Sequence, residues 1–247
     1  MKALKITMLY PQEMNIYGDH GNLEILTHRA ELYGYKPKQV FYEPGDEFPM
    51  DSDIILGGGG QDSGQGKIMN DLMEIAPKLL ELVKADVPML MICGLYQMFG
   101  HYFQTIEGQK ISGIGIFDAY TEAGSKRLIG NIITDWDGYQ LIGYENHSGL
   151  TFLNDGQDPF ARVIKGFGND DKSVSEGARI NNVFGSYLHG PILSKNPKFT
   201  DELLALAVKR KFGDRKITPA DASAKRALLK LDILADQARR VVIEKLK

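Results

Sequence analysis

Short apolar runs alternate with longer amphipathic stretches over the first hundred residues of this chain. Residues 5–10, closed by Pro11, read as a strand. Leu23, Leu26, Ala30 and Tyr33 recur at helical spacing and predict a helix over 23–32. Residues 38–42 predict a second strand. Residues 53–56 predict a third, which runs straight into Gly57, Gly58, Gly59 and Gly60. Leu72, Ile75, Leu79 and Leu82 share one face of a helix expected over 68–84, where Pro77 should produce a kink or a break. Residues 89–92 are an unbroken apolar run behind Pro88, as in a strand buried on both faces. A helix is expected to start at Leu95 and run toward Tyr102. Strands alternating with helices imply an α/β fold, a mainly parallel sheet flanked by helices.

The pattern then changes. From 111 to 179 the apolar runs are short and broken by glycine, so the middle segment is read as strand-rich. Asp137-Gly138 is the expected hairpin turn between strands at 129–136 and 139–144. Residues 183–188 read as a strand that delivers His189, followed by Gly190 and Pro191. Asn196-Pro197 opens a helix to residue 211. The last helix, 219–246, carries Leu228, Leu231, Ala235, Ala238 and Val242 as an apolar stripe opposite a charged face. We therefore expect a main domain over 1–212 and a C-terminal helical extension over 213–247. The extension packs on that domain or on a partner, and an amphipathic helix ordinarily turns its stripe inward.

Composition narrows the function classes. Apolar residues make up 43% of the chain, charged residues 25%, and the formal net charge is −3. These values describe an ordinary globular protein without a basic field for nucleic acid. One cysteine excludes an internal disulfide framework and a cysteine-based zinc site. The N-terminus lacks an apolar signal core, and no apolar run reaches the ~18 residues of a membrane span. The expected location is the cytoplasm, where a lone thiol stays reduced.

That one cysteine, Cys93, sits where the 89–92 strand turns into a helix, with Gly94 beside it. A nucleophile on such an elbow projects from the sheet, and the following backbone N–H can face a developing oxyanion. A helix N-terminus also favours a thiolate. The competing reading is a buried structural cysteine. The glycine run with Lys67 suggests a phosphate loop, but that motif needs glycine where Gln61 stands and Ser or Thr where Ile68 stands. Four glycines at a strand end instead offer free N–H groups at the sheet edge where α/β sites form, and so a second oxyanion donor. His189, at a strand end, is a candidate acid–base group. His20 and His147 compete with it, and spacing alone does not rank the three.

Two stretches now carry a family resemblance. Met91-Ile92-Cys93-Gly94-Leu95-Tyr96-Gln97-Met98-Phe99-Gly100 and Gly185-Ser186-Tyr187-Leu188-His189-Gly190 resemble the class I glutamine amidotransferases, in their cobyric-acid-synthase-like (CobB/CobQ-type) branch. Asn15-Ile16-Tyr17-Gly18-Asp19-His20-Gly21-Asn22 and Gly143-Tyr144-Glu145-Asn146-His147-Ser148-Gly149 are similar to the small glutaminase subunits of lipid II isoglutaminyl synthase. The resemblance spans about residues 5–212.

The resemblance implies a flavodoxin-like three-layer sandwich. It implies that Cys93 attacks the side-chain amide of L-glutamine and that His189 is its base. Arg127 would bind substrate, a role suited to a guanidinium facing a carboxylate. Gly94, Gln97, Gly58 and Gly59 would line the substrate site. Two positions depart from the wider pattern: Pro191 stands where a glutamate orients the histidine, and Leu95 where a second glycine follows the cysteine. Asp19 is the first candidate for the missing acid and Glu145 the second. No cofactor or metal is expected in this chain, which has no phosphate loop. The implied partner is a Mur-ligase-like subunit, MurT, forming a heterodimer and using ATP and Mg²⁺. It would amidate the D-glutamate α-carboxyl of the lipid II stem peptide, which could place the pair at the inner membrane face. Two alternatives stay open: a glutaminase serving a cobyrinate-like or other amide synthetase, and a non-catalytic regulatory subunit of the same fold.

Overall fold

The computed structural model describes residues 2–60, 62–214 and 216–246. Gln61, one of the two positions that fail the phosphate-loop motif, lies outside them. The elements in chain order begin β1 (Ala3–Leu9), α1 (His20–Leu32), β2 (Lys36–Tyr42), β3 (Ile54–Gly57), α2 (Asp62–Lys84), β4 (Met89–Ile92) and α3 (Gly94–Met98). They continue with β5 (Tyr102–Gln104), β6 (Lys110–Ser112), β7 (Ala119–Trp136), β8 (Tyr139–Leu153), β9 (Ala161–Lys165), β10 (Ser175–Glu176), β11 (Ala178–Ile180) and β12 (Val183–Ser186). Three helices close the chain: α4 (Ile192–Lys195), α5 (Pro197–Phe212) and α6 (Ala222–Lys245).

The first sheet has the order β11-β12-β4-β3-β1-β2 and is parallel except for β11. Every residue of β3, β4 and β12 is buried, which explains their unbroken apolar runs. The outer strand β2 is half-exposed and carries Lys36, Pro37 and Lys38, residues that discourage edge pairing. Parallel pairing places the C-terminal ends of β1, β3, β4 and β12 at one edge. There the chain delivers Asp19, the glycine run, Cys93 and His189.

The strand-rich middle forms a second sheet, β10-β9-β7-β5-β6 with β8 on β7. β7 and β8 pair across Asp137 and Gly138, both at positive φ (49° and 79°), the geometry of a type I′ hairpin. The ladder is interrupted between Ala123 and Leu128, and Arg127 sits in that irregularity. Tyr144 of β8 exchanges backbone hydrogen bonds with His189 (2.9 and 3.1 Å), so the two sheets meet at the histidine.

Two expectations need correction. α2 runs unbroken through Pro77. The proline and Met73, whose carbonyl loses its partner, both lie on the exposed face, where water can serve that carbonyl. The helix expected from Leu95 to Tyr102 is five residues long, and the chain re-enters a strand at Tyr102.

α6 is tied to the rest of the chain through charge. Arg29, 2% exposed, bonds Asp201 of α5 in two places and reaches Asp232 of α6 at 2.7 Å. Arg239 donates to Asn196 Oδ1 at 2.8 Å and lies over the Tyr139 ring. Leu228, Ala235 and Val242 of the apolar stripe are buried.

β12 approaches the Cys93 helix closely. A Cβ on Gly185 would stand 2.1 Å from Cδ2 of Tyr96. Gly185→Ala is expected to destabilise the fold by about 3 kcal/mol, the upper end of ordinary overpacking costs, measured by chemical denaturation.

Candidate active site

Cys93 follows β4 at φ 51° and ψ −103°, outside the regions that L-residues favour. Its N–H is held by the Ser186 carbonyl of the neighbouring strand at 2.8 Å. The turn presents the side chain to a cavity of about 410 Å³ although Cys93 is only 7% exposed. Gly94 opens α3, so its N–H has no acceptor within that helix.

His189 lies three residues beyond β12, almost fully buried, with Nδ1 3.0 Å from Asp19 Oδ1. With Nδ1 so engaged, Nε2 is the nitrogen left for Cys93. It has no hydrogen bond of normal geometry among the described residues. Burial alone would lower the proton affinity of His189. The Asp19 hydrogen bond and then Cys93 outweigh it and push the imidazole up to about 10. Asp19 Oδ2 accepts the Gly59 N–H at 2.8 Å, so both carboxylate oxygens are engaged. Cys93, His189 and Asp19 stand in the order that a nucleophile, an acid–base group and an orienting carboxylate would need.

Residues 5–197 match the family described as the CobB/CobQ-like glutamine amidotransferase domain. The chain belongs to this family. It is 38% identical over 221 residues to the GatD subunit of the glutamine-hydrolysing lipid II isoglutaminyl synthase of Streptococcus pneumoniae, covering 88% of this chain and 85% of that one. The corresponding GatD of Staphylococcus aureus is 36% identical over 235 residues, covering 93% and 96%. A solved glutamine amidotransferase of Thermotoga maritima superposes with a TM-score of 0.54 over 98% of this chain and 97% of that one, at 13% identity, which bears on the fold alone.

The amidotransferase cavity is also lined by Ile16, Tyr17, Gly60, Gln97, Phe103, Arg127, Asn146, His147, Ser148 and Gly149. Arg127 is exposed at its mouth. Its Nε donates to Asn146 Oδ1 at 2.6 Å, and a terminal nitrogen reaches the Tyr17 hydroxyl at 3.4 Å. The irregularity in β7 brings this cation to the cavity. Gln97 lines the wall with both amide ends occupied: Oε1 accepts from Gln65 and Nε2 donates to the Tyr187 hydroxyl. Tyr17, itself at φ 60°, sets its ring edge-on to His189 at 4.8 Å.

The glycine run divides differently from expectation. Gly58 and Gly59 do not line the cavity; the Gly59 N–H is committed to Asp19, and a Cβ on Gly58 would stand 2.2 Å from the Met14 carbonyl oxygen. Gly60 is the member that lines it, with its nitrogen 3.0 Å from where a Cβ on Gly94 would be. Gly94, expected at the substrate site with Gly58 and Gly59, is likewise absent from the lining.

The competing histidines separate clearly. His20 is on the surface with Glu24 and Phe41. His147 lines the cavity, but its Nδ1 donates to the Gly149 carbonyl, its ring stacks on Tyr187 at 3.6 Å, and burial pushes its imidazole down to about 4. Glu145 is not next to His189 Nδ1. Its carboxylate receives the Phe167 and Gly168 N–H groups, and burial pushes it up to about 7. Pro191 packs against Gly21, where a Cβ would meet its ring at 2.4 Å. Tyr17, Asn146 and Ser148 fall inside the quoted motifs but had no assigned role, and Phe103 carried no signal.

Asp19→Asn is expected to cost at least about tenfold in glutamine hydrolysis. It should also lower the pH at which the His189 ring loses its proton, read by NMR titration, because Asp19 is the main group raising it. An unchanged rate and titration would leave Cys93 and His189 as a dyad.

Proposed function

We propose that this chain is the glutaminase subunit of a lipid II isoglutaminyl synthase. The observation that carries the reading is similarity to two GatD subunits along nearly the whole of each chain, with the Cys93–His189–Asp19 line inside the matched segment. The thiolate of Cys93 attacks the side-chain amide carbon of L-glutamine. The oxyanion is met by the N–H groups of Gly94 and Gly60. His189 gives its proton to the leaving amine as ammonia departs, and a thioester remains. Water, deprotonated by His189, then releases glutamate and regenerates the thiol. Arg127 holds the substrate α-carboxylate, and Asp19 keeps His189 oriented and protonated.

Ammonia made here is consumed by a separate ATP-dependent ligase, for which a MurT-type Mur-ligase-like subunit is our choice. ATP and Mg²⁺ belong to that partner, which activates the D-glutamate α-carboxyl of the lipid II stem peptide. No helix among the described residues is long and apolar enough to cross a membrane. Contact with the inner membrane face would come through lipid II.

Cys93→Ala in the two-chain complex is expected to abolish glutamine-driven amidation and leave ammonium-driven amidation intact. Glutamate release and isoglutamine formation measured side by side decide it. Turnover with glutamine in that variant would remove Cys93 as the nucleophile. No glutamate from the unaltered complex would favour a regulatory subunit.

A further inference from the structure

Ser186, the last residue of β12, touches both halves of the reacting pair. Its carbonyl accepts the Cys93 N–H at 2.8 Å. Its Oγ accepts the N–H of Leu188, one residue before His189, at 3.0 Å. The hydroxyl proton goes to Glu176 Oε1 at 3.1 Å, and the same oxygen accepts the Tyr187 N–H at 2.7 Å. Ser186 and Glu176 are both 0% exposed. One carboxyl oxygen thus fixes the hydroxyl and the backbone on which Cys93 and His189 are hung.

Glu176 comes to this place from the second sheet. It ends β10, and the chain turns at Gly177 (φ 65°) into β11 of the first sheet. The turn is tight, since a Cβ on Gly177 would stand 2.0 Å from the Gly185 carbonyl oxygen. Glu176 is absent from the cavity wall and does not meet substrate there. Its Oε2 is buried and has no hydrogen-bond partner among the described residues. Burying a carboxyl with one oxygen unsatisfied is costly, and a residue needed only to fill space would avoid that cost.

We propose that Glu176 is a positioning residue for the Cys93–His189 pair and acts through Ser186. Burial, with the charge of Glu145 adding to it, pushes its carboxyl up to about 8. Tyr96, buried nearby, also feels its charge. Glutamine is then a close replacement: its carbonyl oxygen can take both hydrogen bonds, and its amide nitrogen stands where Oε2 was.

Because Cys93 is the chain's one cysteine, alkylation of the full-length chain by iodoacetamide reads this thiol alone. Its rate against pH reports how well His189 supports the thiolate. In Glu176→Ala the profile is expected to move to higher pH. In the two-chain complex kcat for glutamine should fall at least about tenfold while KM stays within about twofold. Glu176→Gln should restore both to within about twofold. Ser186→Ala keeps the carbonyl that holds Cys93 and loses the hydroxyl, so it should repeat the Glu176→Ala effect in weaker form and serves if that variant does not fold. A wild-type alkylation profile in Glu176→Ala overturns the proposal. So does a Glu176→Gln variant as impaired as Glu176→Ala, or a rise in KM that accounts for the loss. The kcat arm rests on the glutaminase reading and the alkylation arm does not. A shifted profile in a chain whose complex hydrolyses no glutamine would sink that reading and support this one.

Discussion

The site depends on parallel pairing between β4 and β12. In that register Ser186 lies opposite Ile92, so its carbonyl meets the N–H of the next residue, Cys93. Neither strand carries a charged side chain, and both are buried on two faces. Apolar burial sets the register, and the register sets where Cys93 and His189 emerge. Slipping one strand by one residue would turn its side chains to the other face and separate the pair.

The second sheet supplies what the first cannot. A doubly covered parallel sheet offers polar groups only at its strand ends, so the substrate-facing surface has to come from elsewhere. β7 and β8 bring Arg127, Asn146 and Ser148 to the cavity, and Tyr144 clasps the backbone of His189. From Gln97 in the wall, buried hydrogen bonds run to Gln65 on one side and through Tyr187 and Thr151 to Thr121 on the other. These bonds restrict the orientation of the side chains they join, although Gln65 Oε1 has no partner among the described residues.

What could be read from sequence follows this division. The runs at 89–92 and 183–186 were legible because strands buried on both faces need continuous apolar residues, and Asp137-Gly138 because a type I′ turn demands such residues. Cys93 was legible as a polar residue released at a strand end, whereas His189 shared its candidacy with His20 and His147, which spacing did not rank. That Asp19 meets His189 could only be inferred, because 170 residues separate them and strand order alone joins them. Which glycine of the run faces the cavity depends on where β3 stops, which composition does not encode. Glu176 gave no signal at all: it sits in a two-residue strand with no periodicity to mark it as buried. Pro77 does not split α2, since it and Met73 lie on the exposed face of the helix.

The loop after β1 has a double hold on one imidazole. Asp19 binds its Nδ1, and Tyr17, two residues earlier, covers its ring while touching the Arg127 guanidinium. Proton affinity and access are consequently not independent properties of this enzyme. Displacing that loop would take away the carboxylate that raises the proton affinity of His189 and, in the same motion, lift the ring that shields it.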